Sequence, residues 1–430
     1  MCAKSNKKGF VIVVVLWVVV LLVVIIVAVG RSSRLDTKIC LAGTDEVRCK
    51  WACRAGVDTA IAVLNDDQRG SDCLKDLWSE NETDFNDIEL DGCSFNVRVV
   101  DEAGKLNVNT ATKLQLLGLP NMTEEIAEAI LDWRDKNDAP RQAGVEGGYY
   151  ENLTFGYKIR NGPFRTIREL LLVKGVTEEL LYGEDTNFNG ELDYNERDGD
   201  KSPPADNGDE KIDEGWIAYL TCYSADENKD AAGNERVNIN EADEDKLGKS
   251  LGIKSSHAKW IVKNRQKTRY ASIADLINNN SSEKASDSSN KDSNEAEPLD
   301  LETFSKIADK ITVNNSKKIP GRVNINTAPK VVLAALLGGG DSAERLAEDI
   351  ITYRGGLAEG MQSIAEVLQV KSVKVGIFKR IANLITTRSN IFTIHCFATA
   401  ERNGGRTATE AVVDRNGTSS KILYWYQGAR

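Results

Sequence analysis

The strongest hydropathy signal lies near the start of the chain. Phe10 to Gly30 (FVIVVVLWVVVLLVVIIVAVG) is 21 residues without a charge. At 1.5 Å per residue this predicts a helix long enough to cross a bilayer core of about 30 Å. Residues 31–66 predict a continuation of that helix. Apolar or small residues recur there with roughly helical spacing at Leu35, Ile39, Ala42, Val47, Trp51, Ala55, Val57, Ala60 and Val63. Residues 88–101 (IELDGCSFNVRVVD) alternate and predict two short strands turning at Asp91-Gly92. Residues 390–427 predict three more strands, NIFTIHCFATAE, RTATEAVVDR and SKILYWYQ, joined at Asn403-Gly404-Gly405 and Asn416-Gly417.

Between these ends an internal repeat occurs three times. Its first part is Leu106-Asn-Val-Asn-Thr-Ala-Thr, Val237-Asn-Ile-Asn-Glu-Ala or Val323-Asn-Ile-Asn-Thr-Ala-Pro. Leu116-Leu117-Gly118, Leu251-Gly252 and Leu336-Leu337-Gly338 follow, and then helical stretches ending at Arg134, Arg265 and Arg354. A second helical piece closes each copy: Phe164–Leu170, Tyr270–Leu276 and Met361–Val367. The Asn-x-Asn-Thr-Ala start predicts a helix cap, and the leucine spacing predicts an apolar face. We read these copies as small helix-hairpin-helix, or SAM-like, units. Residues 278–298 are rich in Ser, Asn and charge, and read as a linker or exposed loop.

Composition narrows the function classes. The 430 residues are 41% apolar and 28% charged, as in a globular protein. The net charge of −10 argues against a general nucleic-acid binder. The second repeat carries local positive charge at Lys249, Lys254, Lys259, Lys263, Arg265, Lys267 and Arg269, but its Gly252-Ile-Lys-Ser-Ser hairpin lacks a second glycine for gripping a phosphate backbone. Only His257 and His395 are present, which speaks against a histidine-based triad or a multi-histidine metal site. Gly248-Lys249-Ser250 resembles the end of a phosphate-binding loop, but Asp243 stands where the first glycine is required. The chain reads as a non-enzyme.

The acidity is concentrated. Residues 184–214 hold 12 acidic and 3 basic residues, a net −9. Within them Asp185, Asn187, Asn189, Gly190, Glu191, Leu192, Asp193 and Glu196 fit a 12-residue calcium loop of the EF-hand type. Asp185, Asn187, Asn189, the Glu191 carbonyl, Asp193 and a bidentate Glu196 would supply hard oxygen ligands, with Gly190 at the turn. Asp198, Asp200, Asp206, Asn207, Asp209 and Asp213 follow without regular loop spacing. Two readings stay open for them: an irregular second calcium site, or mutually repelling carboxylates. Seven cysteines (40, 49, 53, 73, 93, 222 and 396) lie beyond the apolar segment. Their odd number leaves at least one thiol free or paired between molecules, and Cys73 with Cys93 is the bridge we expect.

Lys4, Lys7 and Lys8 precede the apolar segment and only Arg31 and Arg34 closely follow it, which predicts a cytoplasmic N-terminus and an exported bulk. Lys7-Lys8-Gly9-Phe10 resembles a prepilin-type leader, cut between Gly9 and Phe10 with methylation of Phe10. Pilins and pseudopilins mostly carry Glu as the fifth mature residue, whereas Val14 stands here. With these features, Asp101-Glu-Ala-Gly-Lys-Leu-Asn-Val-Asn-Thr-Ala111, Val323-Asn-Ile-Asn-Thr-Ala-Pro329, and Glu410–Arg415 with Leu423-Tyr-Trp425, the chain resembles the K-class minor pseudopilins of type II secretion. The resemblance implies an α+β fold: a long N-terminal helix, an antiparallel sheet and a large inserted helical domain. The expected divisions are a leader (1–9), a membrane helix (10–30), a pilin-like helix with first strands (31–104), the helical insert (105–389) and the closing strands (390–430). It also implies bound calcium and a position at the pseudopilus tip in the inner membrane. The implied partners are the I- and J-class minor pseudopilins, the major pseudopilin, the prepilin peptidase and the inner-membrane assembly platform. Two other readings are a membrane-held DNA-binding component of a competence-type uptake pilus and a calcium-dependent adhesin. Mass spectrometry of the mature N-terminus separates processing from plain anchoring: N-methylated Phe10 is expected, and an intact Met1 would refute the prepilin reading.

Overall fold

The computed structural model describes residues 8–68, 70–185, 192, 194–197, 199, 201, 204, 206, 208–277, 296–417 and 419–429. One helix, α1 (Lys8–Asp66), carries the apolar segment and runs on into the rest of the protein. Its first part is uncovered: Phe10 through Val29 are exposed apolar residues, and the most apolar 18-residue stretch of the helix has a mean hydropathy of 3.8, fitting a single-pass membrane anchor. Its last part packs on a sheet through Cys49, Ala52, Cys53, Val57, Ala60 and Leu64. The buried stripe therefore coincides with the expected positions only in part, at Val57 and Ala60. Leu35, Ile39, Val47 and Trp51 face outward, Trp51 being 69% exposed, because the side meeting the sheet is made of small residues that permit close approach. Gly56 marks the tightest point: a Cβ there would lie 2.6 Å from the Cys396 sulfur and 2.9 Å from Val97.

The sheet joins the two ends of the chain. Strands β1 (Ile88–Leu90) and β2 (Cys93–Asp101) form a hairpin whose turn residues Asp91 and Gly92 both have positive φ, which suits the right-handed twist of paired strands. Strands β3 (Ile391–Ala400), β4 (Arg406–Asp414) and β5 (Lys421–Ala429) continue the sheet in the order β1-β2-β3-β4-β5, antiparallel throughout. Val97 is opposite Cys396 and Asp101 opposite Phe392, although residues 102–390 lie between β2 and β3 in sequence. Alternation puts Phe95, Val97, Val99, Ile394, Cys396 and Ala398 in the core against α1.

The intervening residues form a second core built from three similar units. Each contains two helices: α2 (Lys113–Leu117) and α3 (Glu124–Arg134), α4 (Glu244–Leu251) and α5 (Ser255–Lys267), then α6 (Lys330–Leu337) and α7 (Asp341–Gly355). Each unit closes by a two-residue parallel pairing: Leu106-Asn107 with Leu220-Thr221, Val237-Asn238 with Ile311-Thr312, and Val323-Asn324 with Ile385-Thr386.

The repeated asparagines clamp the chain, which corrects the expected capping role. In each copy the first Asn accepts the backbone N–H of the second (2.9, 2.9 and 3.0 Å). The side chain of the second then bonds both the N–H and the carbonyl of Phe164, Tyr270 or Met361, as a strand neighbour would. The caps of the first helices are Thr112, Asp243 and Pro329 instead. The arginine ending each second helix returns to the start of its own unit. Arg134 donates to the Val108 and Ala111 carbonyls, Arg265 to Ile239 and Ala242, and Arg354 to Ile325.

Buried ion networks lock these parts together. Arg415, just after β4, reaches Asp67 (2.8 Å) and Asp72, and donates to the Ser389 carbonyl. Asp72 also accepts from the Ser389 N–H (2.7 Å), while Asp101 accepts from Ser389, Asn324 and Thr327. A second network centres on Asp226, which pairs with Arg236 (3.0 Å) and Arg322 (3.3 Å) and accepts from Thr386. Burial pushes the Asp226 carboxyl up, but Arg236, Arg322 and the Asn228 N–H outweigh it and hold it near about 2, below the ordinary 3.8. A lowered folded-state value stabilises the fold above the unfolded value and loses that stabilisation as pH falls from about 4 to about 2; the depression is worth about 2.5 kcal/mol. Asp226→Asn leaves the two guanidiniums without their counter-charge, so it is expected to lower the unfolding free energy by about 3–5 kcal/mol at pH 7. In denaturant titrations the deficit should shrink at pH 2.5, and an equal deficit at both values would count against this origin.

Candidate metal centres

The acidic insert leaves the first helical unit through a narrow neck. Gly183 and Gly215 both have φ near +60°, and a Cβ on Gly183 would fall 1.9 Å from the Asp213 carbonyl oxygen. Only glycine fits two strands pressed so closely in that conformation. The Glu184 N–H donates to the Asp213 carbonyl (2.7 Å) and the Glu184 carboxylate accepts the Asp213 N–H (3.1 Å), which seals the neck. Trp216, directly beyond it, is buried and donates its indole N–H to the Pro120 carbonyl (2.8 Å).

Of the expected calcium-loop ligands, Asp185 and Glu196 are described, and both are buried, at 3% and 0% exposure. They occupy the first and last loop positions, where a cation needs its anionic oxygens inside the fold. Asn187, Asn189, Glu191 and Asp193 lie outside the described residues, as do Asp198 and Asp200. Asp209 and Asp213 are exposed, and Asp209 accepts the Lys211 N–H.

A second acidic site went unrecognised in the sequence. Asp132 and Asp135, at the end of α3, lie with Glu146 so that one carboxylate oxygen from each is within 4.8 Å of the other two. Asp132 is fully buried and Glu146 is 6% exposed. Arg141 bonds both aspartates, giving one positive charge against three negative ones. Neither oxygen of Glu146 accepts a hydrogen bond. Burial, then the charges of Asp132 and Asp135, push its carboxyl up to about 7. A buried carboxylate without a partner is costly, and a hard divalent cation would compensate it. Gly144 lets the intervening loop press on the aspartate, since a Cβ there would sit 1.9 Å from an Asp132 carboxylate oxygen. The available signal was an aspartate pair three residues apart at a helix end, with Glu146 after Pro140 and Gly144.

A third cluster, Asp67, Asp72 and Asp76, already faces Arg415 and is structural. The basic residues of the second unit are partly engaged as well: Arg265 holds its own unit together, Lys249 is 3.8 Å from Asp245, and Arg269 is 3.5 Å from Glu241. The expected Cys73–Cys93 bridge is replaced by different neighbours. Cys73 lies beside Asp76, with its sulfur 3.2 Å from the carboxylate, because the turn after α1 folds toward the third unit; Cys93 opens β2 beneath α1 and meets Cys49. Phe10 is exposed at the start of α1, and Gly9 precedes it within the helix.

Comparison with known proteins gives a consistent family. Residues 93–182 and residues 323–388 each match a family model for type II secretion system protein K. These regions hold β2 with the first unit's helices, and the core of the third unit. These two matches, which together span about a third of the chain, support a K-class minor pseudopilin of the type II secretion system. No curated protein matches the chain. Among solved structures it is similar to the GspK-GspI-GspJ complex of the enterotoxigenic Escherichia coli type 2 secretion system. That match has 13% identity and a TM-score of 0.48, and covers 90% of this chain and 98% of the other.

Proposed function

We propose that this protein caps the tip of a type II secretion pseudopilus and supports its assembly for protein export across the outer membrane. Val14 carries the proposal. In a filament of packed apolar helices, a carboxylate at that position would neutralise the terminal amine of an adjoining subunit, since an unpaired charge in such a core is expensive. A subunit with no neighbour above it has no such amine to neutralise, and Val14 suits that place. The exposed apolar residues Leu35 and Ile39, one turn apart on α1, support contact with the helices of I- and J-class minor pseudopilins and the major pseudopilin. Insertion is from the inner membrane with residues 1–9 cytoplasmic and the bulk outside, after processing by the prepilin peptidase and delivery by the assembly platform. The three units serve as helix-hairpin-helix, SAM-like packing modules. In overproduced pseudopili, immunogold directed at this subunit should mark one end only; label along the filament would reject the tip position.

Calcium is the cofactor that suits both acidic sites, with structural rather than catalytic effect. Asp185 and Glu196, with the acidic residues between and after them, would form one site; Asp132, Asp135 and Glu146 would contribute to another. Binding to the folded state at 100 times Kd adds about 2.7 kcal/mol per site. Calorimetric titration of the detergent-solubilised full chain with Ca²⁺ should lose one binding event in Glu146→Gln and the other in Asp185→Asn/Glu196→Gln. Without cation, Glu146→Gln should melt higher than the wild type at pH 8 and alike at pH 4. A raised folded-state value makes the ionised carboxylate a cost that grows as pH rises from the ordinary 4.5 to about 7 and is complete above it. Unchanged titrations in both variants would defeat the calcium assignment.

A further inference from the structure

The interface between α1 and the sheet contains four buried sulfurs: Cys49 and Cys53 on α1, Cys93 at the first position of β2, and Cys396 in β3. Their surroundings differ. Cys53 donates to the carbonyls of Cys396 and Thr407, each at 3.4 Å, and so has backbone partners besides the neighbouring Cys396 thiol. Cys49 points at another sulfur, 3.2 Å from that of Cys93, and its other polar neighbour, the Gly405 carbonyl, is 3.8 Å away. The pair is enclosed by apolar side chains and both residues are essentially inaccessible. We propose that Cys49 and Cys93 are joined by a disulfide that fastens α1 to the leading end of β2. This rests on the reading that the head lies in an oxidising extracytoplasmic compartment.

The chemistry needs an oxidant, and its class is a protein or small-molecule disulfide of that compartment. One cysteine thiolate attacks the oxidant's disulfide, forming a mixed disulfide and releasing one oxidant thiol. The second cysteine, as thiolate, then displaces the remaining oxidant sulfur. The pair loses two protons and two electrons, and the oxidant leaves as two thiols. Timing follows from burial. In the folded protein, burial first and then the neighbouring Cys93 push the Cys49 thiol up to about 12, so little thiolate exists there. The bond therefore forms while the head is still folding and both sulfurs are open to the oxidant. Once made, it closes a loop from residue 49 to residue 93, which contains the end of α1, Asp67, Asp72 and β1. Such a closure restricts the unfolded chain. It also anchors the helix where its packing on the sheet begins, so a pull along α1 reaches the sheet through a covalent bond.

The test uses the full chain from cells whose thiols were blocked with an alkylating reagent before lysis, digested without reductant. The expected result is a Cys49 peptide linked to the Cys93 peptide, with Cys53 and Cys396 alkylated after denaturation. Reductant should lower the melting midpoint of the wild type and leave Cys49→Ser/Cys93→Ser unmoved. A parallel protease treatment of spheroplasts reports where the head lies. If the head is cut from outside and Cys49 and Cys93 are thiols, or are linked elsewhere, the proposal is overturned. If the head is protected inside, the compartment reading has failed by itself. Refolding of the purified chain in a glutathione redox buffer then decides: linkage of 49 to 93 sustains the pairing, and persistent thiols there refute it.

Discussion

Arg415 is the constraint on which the two halves of the molecule depend. It is 1% exposed, lies just past β4, and brings its charge against Asp67 and Asp72 at the end of α1. Its face also lies over the Phe392 ring, 4.9 Å from the centroid. The Ser389 and Asp101 groups it adjoins extend the network to Asn324 and Thr327, the opening residues of the third unit. One guanidinium thus joins the helix end, the sheet and the inserted units. Burial pushes Asp72 up to about 7 despite the pull of Arg415, with Asp101 adding to the rise, so the network is held at electrostatic cost. Removing one charge from a buried pair costs about 3–5 kcal/mol, while the intact pair adds little net stability. Its contribution is therefore placement: it sets where the insert sits on the head.

The other contacts reinforce the same placement from different directions. Arg168 of the first unit pairs with Glu410 (2.7 Å), bonds the Tyr424 hydroxyl (2.9 Å) and covers the Tyr426 ring, tying that unit to β4 and β5. Arg388 bonds Asp309, connecting the end of the third unit to the end of the second. These links cross long sequence separations, joining parts that local structure does not bring together. Local order within each unit comes instead from its asparagine clamp and returning arginine.

Much of the architecture was legible because its signals are periodic. The uncharged run at 10–30 gives α1, and alternation gives the five strands, including the turn at Asp91-Gly92. The repeat was visible from Asn-x-Asn and the leucine pairs, but its closing dipeptides, Leu220-Thr221, Ile311-Thr312 and Ile385-Thr386, were too short to stand out. Periodicity picked out only part of the buried stripe on α1, at Val57 and Ala60. It favours large apolar side chains, and so missed the small ones that meet the sheet at Ala52, Cys53 and Gly56. The contiguous acidic loop at 185–196 could be proposed from spacing as a calcium candidate; Asp132, Asp135 and Glu146 gave a weaker signal, because a returning loop completes their cluster. The neighbours of the cysteines were not readable from spacing, since they are set by how the helix crosses the sheet.

The glycine neck at 183 and 215 separates the size of the acidic insert from the geometry of the unit that carries it. Both ends leave from one point, so added or deleted residues between them need not move Trp216 or the pairing at Leu220-Thr221. The entropic cost of a longer loop rises slowly, by about 0.6 kcal/mol for each doubling. This part of the chain can therefore vary in length and charge between related proteins while the framework around it keeps its register.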